Sequence, residues 1–214
     1  DDRTASLSAI GAVSPPGGDI SEPVSQGTLR IVKVFWGLDA NLAYARHFPS
    51  INWLNSYSLY EDRLSGWFNE HVDKDFMTQR AETMNLLQLE SELNEIVRLV
   101  GIDALSPMDR LTMETARMVR EDFLQQNAFI DTDAYTSFGK QFKLLRMILE
   151  FQHLGQAALT AGADMNALFS ITARDRISRA KDVDQAEYEQ IYADITSEMT
   201  AQIDALVEAG GDAQ

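Results

Sequence analysis

Glu150-Phe151-Gln152-His153 sets a carboxylate and an imidazole one helical turn apart. Di-metal helical bundles use this step to aim both groups at one ion. Such a centre takes two of these steps and two further inward glutamates, and the chain holds one step. A surface or inter-helix polar pair is the simpler expectation for it. His47, His71 and His153 form no HExxH pair, which removes the zinc-protease arrangement. Gly17-Gly18 is not followed by Lys-Ser/Thr at the spacing of a GxxxxGK[ST] loop. The backbone cradle and the lysine that hold β- and γ-phosphates are therefore missing from these residues. Ser and Thr side chains fall in loop and cap contexts, where hydroxyls satisfy backbone donors, and no nucleophile with its base assembles locally. The chain has no cysteine, so disulfides, thiolate metal ligands and cysteine nucleophiles are excluded together; this suits a reducing compartment without requiring one.

Charge narrows the partners. The 214 residues carry a net −15, of which residues 1–60 hold about −1 and residues 61–214 about −14. A surface of that sign repels nucleic-acid phosphate and anionic lipid, so nucleic-acid binding is disfavoured and a solvated acidic face is expected. No apolar run approaches the roughly 20 residues a membrane helix needs, nor is there a signal-peptide pattern, so direct membrane insertion is not expected. Hydrophobic residues make up 45%, enough for a buried core.

Few elements could position any chemistry. Residues 6–13, Ser-Leu-Ser-Ala-Ile-Gly-Ala-Val, read as a buried strand halted by Pro15-Pro16-Gly17-Gly18. A lone strand cannot form a sheet, so its partners are expected upstream and the sequence looks truncated. Thr28 to Arg46 shows helical spacing of Leu29, Val32, Phe35, Trp36, Ala40 and Ala43, with Pro49 closing it. Residues 50–60 read as a connector, and the domain boundary is set there: 1–60 and 61–214. Beyond it the pattern is helical almost throughout. Leu86, Leu89, Leu93, Ile96 and Val100 make one stripe, with Gly101 as its stop. Ser106-Pro107-Met108-Asp109 has the features of a helix start. Gly162 ends a helix over 141–161, and the last helix carries Tyr188, Ile191, Ile195, Met199, Ile203 and Leu206. The expected fold is mainly α, an antiparallel helical bundle preceded by a strand and a helix. From these features alone, a free-standing acidic helical adaptor remains a second reading.

Two stretches add to this. Ser14-Pro15-Pro16-Gly17-Gly18-Asp19-Ile20-Ser21-Glu22-Pro23-Val24 runs on to Arg46-His47-Phe48-Pro49-Ser50-Ile51-Asn52-Trp53, and Phe123-Leu124-Gln125-Gln126-Asn127-Ala128-Phe129 closes a second block that starts near Glu92. Together they resemble the catalytic A subunit of vacuolar- and archaeal-type rotary ATPases, continuously over residues 6–60 and on to about residue 155. Beyond about residue 160 the likeness is to a generic helical tail.

The resemblance implies that residues 1–60 are the last strand and helix of a RecA-like nucleotide-binding domain. Residues 61–214 would be the C-terminal helical domain. It implies ATP or ADP with magnesium in the complete subunit, and no turnover or cofactor in this chain alone, since the phosphate loop, catalytic glutamate and magnesium ligand have no counterpart here. It implies non-catalytic B subunits in an alternating hexamer, a central stalk partner, and a cytoplasmic head peripheral to a membrane. No catalytic residue carries over. Two aromatics that sandwich adenine in the family map to Phe48 and Phe129; on residue type alone ordinary core positions are the favoured reading, and the resemblance favours the pocket. Asp103-Ala104-Leu105-Ser106-Pro107-Met108-Asp109 takes the place of the acidic turn that pushes on the stalk in the related F-type enzyme. Ala104, Pro107 and Met108 stand where acids would, so a contact through Leu105 and Met108, framed by Asp103, Ser106 and Asp109, is one expectation and a plain capped turn is the other.

Overall fold

A computed structural model describes residues 3–211. Residues 3–15 run as irregular, exposed chain, with Leu7 96% and Ile10 86% accessible. The strand expected over 6–13 does not form among the described residues, because its N–H and C=O groups find no neighbouring strand to pair with.

The helix expected over Thr28–Arg46 is also corrected. The chain instead makes α1 (Pro23–Leu29), β1 (Val34–Phe35) and α2 (Ala40–Tyr44). Glu22 caps α1 through Ser25 and Val24 N–H groups, and Asp39 caps α2 by accepting from Asn41 N–H at 2.8 Å. The branched Ile31, Val32 and Val34 then favour extended backbone, and β1 pairs antiparallel with β2 (Tyr57–Ser58) in a two-stranded ribbon. Gly37 N–H donates to Ser56 Oγ at 3.0 Å, which ties the ribbon's exit to the connector.

Helices follow: α3 (Glu61–His71), α4 (Phe76–Val100), α5 (Pro107–Met118), a π-helical turn over Val119–Leu124, then α6 (Asp131–Ala134) and α7 (Phe138–Thr160). The short α8 (Met165–Phe169) and α9 (Thr172–Ser178) lead to α10 (Tyr188–Gly211). Helix α7 is the centre of the bundle, with α5 against one side and α10 against another. Ile148 and Phe151 on α7 are fully buried with Leu111, Leu168, Ile177, Met199 and Ile203. Side chains at this depth lose about 2–5 kcal/mol when truncated to alanine, which makes this layer the source of the domain's rigidity.

Local signals set the hairpin between α4 and α5. Gly101 ends α4 with φ +87, a conformation that disfavours any side chain. Ser106 and Asp109 close a capping box, Asp109 N–H to Ser106 Oγ at 3.1 Å and Ser106 N–H to Asp109 Oδ2 at 3.3 Å, with Pro107 in the first turn. The buried face of α4 differs from the expected stripe. Gln79, Thr83, Leu86, Leu87 and Glu90 face inward, while Leu89, Ile96 and Val100 are 42%, 45% and 64% exposed. The bundle covers the first half of this 25-residue helix and leaves its end projecting. None of the helices among the described residues is long and apolar enough to cross a membrane.

Candidate functional site

Residues 46–53 form the loop that carries Phe48. Arg46 takes a positive φ of 58°, and the Phe48–Pro49 peptide is cis. His47 points inward, 8% exposed, and packs its ring 5.6 Å from that of Trp53. Its Nε2 lies 2.9 Å from the Arg120 carbonyl and its Nδ1 3.2 Å from the Pro49 carbonyl. With His47 as the root, Phe48 is turned outward and stays 54% exposed.

The second loop leaves the π-helical turn at Gln125, whose N–H donates to the Arg120 carbonyl at 2.9 Å. Gln126 N–H then donates to the Phe48 carbonyl at 2.6 Å. Asp133, 4% exposed, accepts from Asn127 N–H at 2.6 Å, and Asn127 Oδ1 accepts from Phe129 N–H at 3.0 Å. This turn lifts Phe129 off the surface, 98% exposed. The structure thus brings together the two loops that bear the sequence-predicted aromatics, and leaves both rings unburied. Phe123, on the π-helical turn, is half-buried against the core.

Arg120 is the node between these loops and α4. Its carbonyl accepts from His47 and Gln125, and its guanidinium meets Glu90 through Nε at 3.1 Å and Nη2 at 2.9 Å. Glu90 is buried; desolvation raises its carboxyl above the ordinary range, and the Arg120 charge opposes that rise. A cleft of about 740 Å³ opens beside this pair, lined by Trp53, Leu54, Glu90, Arg110, Arg120 and Phe169 among others. Neither Phe48 nor Phe129 lines it, so the cleft and the aromatic pair are separate features.

The turn between α4 and α5 is only partly as expected. Leu105 is 8% exposed and faces the hairpin interior, so it is not available to a partner, and Met108 is half-buried. Ser106 and Asp109 are engaged in the capping box, and Asp103, fully accessible, pairs with Arg110 at 3.0 Å. The apolar surface of the tip is instead Leu99 at 85%, Val100 at 64% and Ile102 at 51% exposed. Sequence reasoning placed Val100 on the apolar stripe of α4 and passed over Leu99. Both immediately precede the Gly101 stop, the signal that could have marked them. His153 meets Glu82 of α4 at 2.5 Å, and Glu150, one turn before it on α7, is half-buried.

Two known families match this chain in series. Residues 1–58 match the nucleotide-binding domain of the ATP synthase alpha/beta family, and residues 65–169 match the C-terminal domain of V and A type ATP synthase. The V-type ATP synthase alpha chain of Acetivibrio thermocellus is 55% identical over 207 residues, covering 97% of this chain and 35% of that protein. Its counterpart in Clostridium botulinum strain Hall is 56% identical over 211 residues, 99% of this chain and 36% of that one. The chain therefore spans about a third of the length of these relatives. A solved structure, the ATP synthase subunit NeqB of Nanoarcheaum equitans, superposes with a TM-score of 0.55 at 24% identity over 64% of this chain and 32% of the other, a likeness of fold.

Proposed function

This chain belongs to the V- and A-type ATP synthase family, matching its alpha chain, and on that footing we propose that it completes the purine side of an ATP site and relays that site's state to a rotating partner. Residues 1–60 act as the end of the nucleotide-binding domain and 61–214 as the helical domain. One observation carries the reading: Phe48 and Phe129, from opposite sides of that division, are presented with exposed rings on loops joined by the Gln126–Phe48 hydrogen bond.

Exposed phenyl faces suit a planar base, which they stack against without reading its hydrogen-bonding edge. The sequence holds no lysine-bearing phosphate loop for the phosphates. Bound Mg-ATP would supply the phosphoryl group; the chain's own residues hold and orient the base. His47 keeps Phe48 turned outward, and Asn127 and Asp133 keep Phe129 raised.

The partners follow from the same reading. Non-catalytic B subunits alternate with this subunit and complete the site, in a head peripheral to a membrane, on its cytoplasmic side. The tip of the α4–α5 hairpin meets the central stalk through Leu99, Val100 and Ile102 rather than through Leu105. Arg120 ties the base-binding loops to Glu90 on α4, so a change at the slot moves the helix that ends at the tip. Rigid-body motion of packed helices is an established way to transmit such a change.

The test is the ATP dependence of hydrolysis by the assembled complex carrying Phe129→Ala. A Michaelis constant raised several-fold with turnover near wild type fits the removal of a stacking interaction of roughly 1–3 kcal/mol. An unchanged constant removes Phe129 from the site.

A further inference from the structure

We propose that Lys181, in the turn between α9 and α10, is a positioning residue for the base-binding loop; the proposal rests on the reading of Phe129 given above. Residue 181 lies beyond the 65–169 family match, on a stretch expected to be a generic helical tail, although the alpha-chain relatives match across it.

The geometry is specific. Lys181 Nζ donates to the carbonyls of Glu121 at 3.0 Å and Gln125 at 2.9 Å. Those carbonyls stand on the π-helical turn and at the residue that ends it, where helix geometry leaves acceptors without partners and a cation is favoured. Gln125 is the hinge of the slot: the next N–H holds Phe48, and Phe129 follows four residues on.

Lys181 is itself held. Its carbonyl accepts from Lys140 Nζ at 2.7 Å, and the same ammonium reaches the Thr132 carbonyl at 2.9 Å and the Val183 carbonyl at 2.6 Å. Lys140 is 1% exposed, so its three bonds are sheltered from water. Thr132 Oγ1 adds a bond to the Asp182 carbonyl at 3.2 Å, beside the Asp133 carboxylate that anchors Asn127. The loop bearing Phe129 is thereby gripped at both ends by one short turn of the tail: at Gln125 through Lys181, and at Thr132 through Asp182 and Lys140. The tail's role is to hold the loop in the pose that offers Phe129 to the base.

The experiment uses the assembled ATPase with the full-length alpha chain and measures kcat and KM for ATP in Lys181→Met, Lys181→Gln, Lys181→Arg, Phe129→Ala and the Lys181→Met/Phe129→Ala double variant. Lys181→Met is expected to raise KM about threefold to tenfold with kcat within about twofold, because a misplaced Phe129 weakens ground-state binding of the base and leaves the phosphoryl chemistry untouched. Lys181→Arg, which keeps donors for both carbonyls, is expected to recover most of the change. The double variant is expected to match Phe129→Ala alone, since Lys181 acts through that ring. If Phe129→Ala raises KM and Lys181→Met does not, the positioning role is overturned while the slot stands. A wild-type KM in Phe129→Ala overturns the slot, and the proposal with it. Fully additive effects, or a fall in kcat at unchanged KM, also overturn it. Should Lys181→Met fail to assemble, a KM that is wild type in both Lys181→Gln and Lys181→Arg overturns it, and a graded rise from Arg to Gln supports it.

Discussion

Gln126 N–H donates to the Phe48 carbonyl at 2.6 Å, so the loop that follows α5 is pinned, through its backbone, to the loop that precedes the helical domain. A bond between backbone groups survives exchange of either side chain, and it places Phe48 and Phe129 under one mechanical constraint. Truncating the ring of Phe48 should therefore leave the junction intact and remove only a stacking face. In the assembled enzyme, Phe48→Ala should raise KM for ATP about tenfold and for GTP by a similar factor, because stacking is tolerant of base identity. Steady-state kinetics with both nucleotides checks this. A rise confined to ATP would mean that Phe48 serves an adenine-specific contact instead.

The hairpin tip separates two kinds of leucine. Leu99 is 85% exposed and Leu105 8%. Leu99→Ser should leave thermal stability within about 0.5 kcal/mol of wild type, as surface exchanges do, yet lower ion transport per ATP hydrolysed in the complete complex. Leu105→Ser should destabilise the chain by roughly 2–3 kcal/mol through poorer packing. Thermal melts paired with transport assays distinguish them, and a fully coupled Leu99→Ser enzyme would remove the tip from the stalk contact.

Asp122 gives a pH signature. Burial pushes its carboxyl up to about 6, against the pull of the Arg117 and Lys181 charges, with Glu121 adding to the rise. Between about pH 4 and pH 6 the native carboxyl keeps a proton that the unfolded chain has released, so stability falls as pH rises through that window. Asp122→Asn should flatten this part of the profile and be more stable at pH 8 by on the order of 1–2 kcal/mol. Arg117 keeps Glu114 and Glu121 as partners in the variant. Melting curves from pH 4 to pH 8 (about the span of the two protonation states) read the difference between variant and wild type. Parallel profiles would show that Asp122 is solvated in the native state.

Lys140 should be the most sensitive polar position. Its replacement by Met removes three bonds at once and leaves the Lys181 and Val183 carbonyls without a donor, while the Thr132 carbonyl keeps only Thr136 Oγ1. A loss of about 3 kcal/mol or more is expected in a denaturant titration, and Lys140→Arg should not restore it, because a planar fork does not fit three converging acceptors. A loss under about 1 kcal/mol would mean that water replaces the ammonium.

The elements legible in the sequence were those set by local chemistry. The Ser106–Asp109 box, the Gly101 stop and the Tyr188-to-Ile203 stripe of α10 each depend on residues within a turn or two of one another. Residues 28–46 misled because an apolar spacing of three and four also arises when a short helix, a strand and another short helix follow in succession; Gly37 and the capping Asp39 were the signals that separated them. The face of α4 was misassigned from Leu89 onward because burial there is decided by where α5 and α7 stop, which no periodicity within α4 encodes. The aromatic pair was named through family resemblance, since type and spacing alone fit a core. Lys181 was invisible because its acceptors are backbone carbonyls of Glu121 and Gln125, distant in sequence and independent of side-chain identity.

The claim on which the rest depends is that Phe48 and Phe129 face the base. Photolabelling of the assembled complex with a 2-azidoadenine nucleotide, followed by peptide mapping, tests it directly. Cross-links within residues 46–50 and 126–130, abolished by excess ATP, are the predicted result. Competable labelling of the complex that leaves both peptides unmodified would contradict the account.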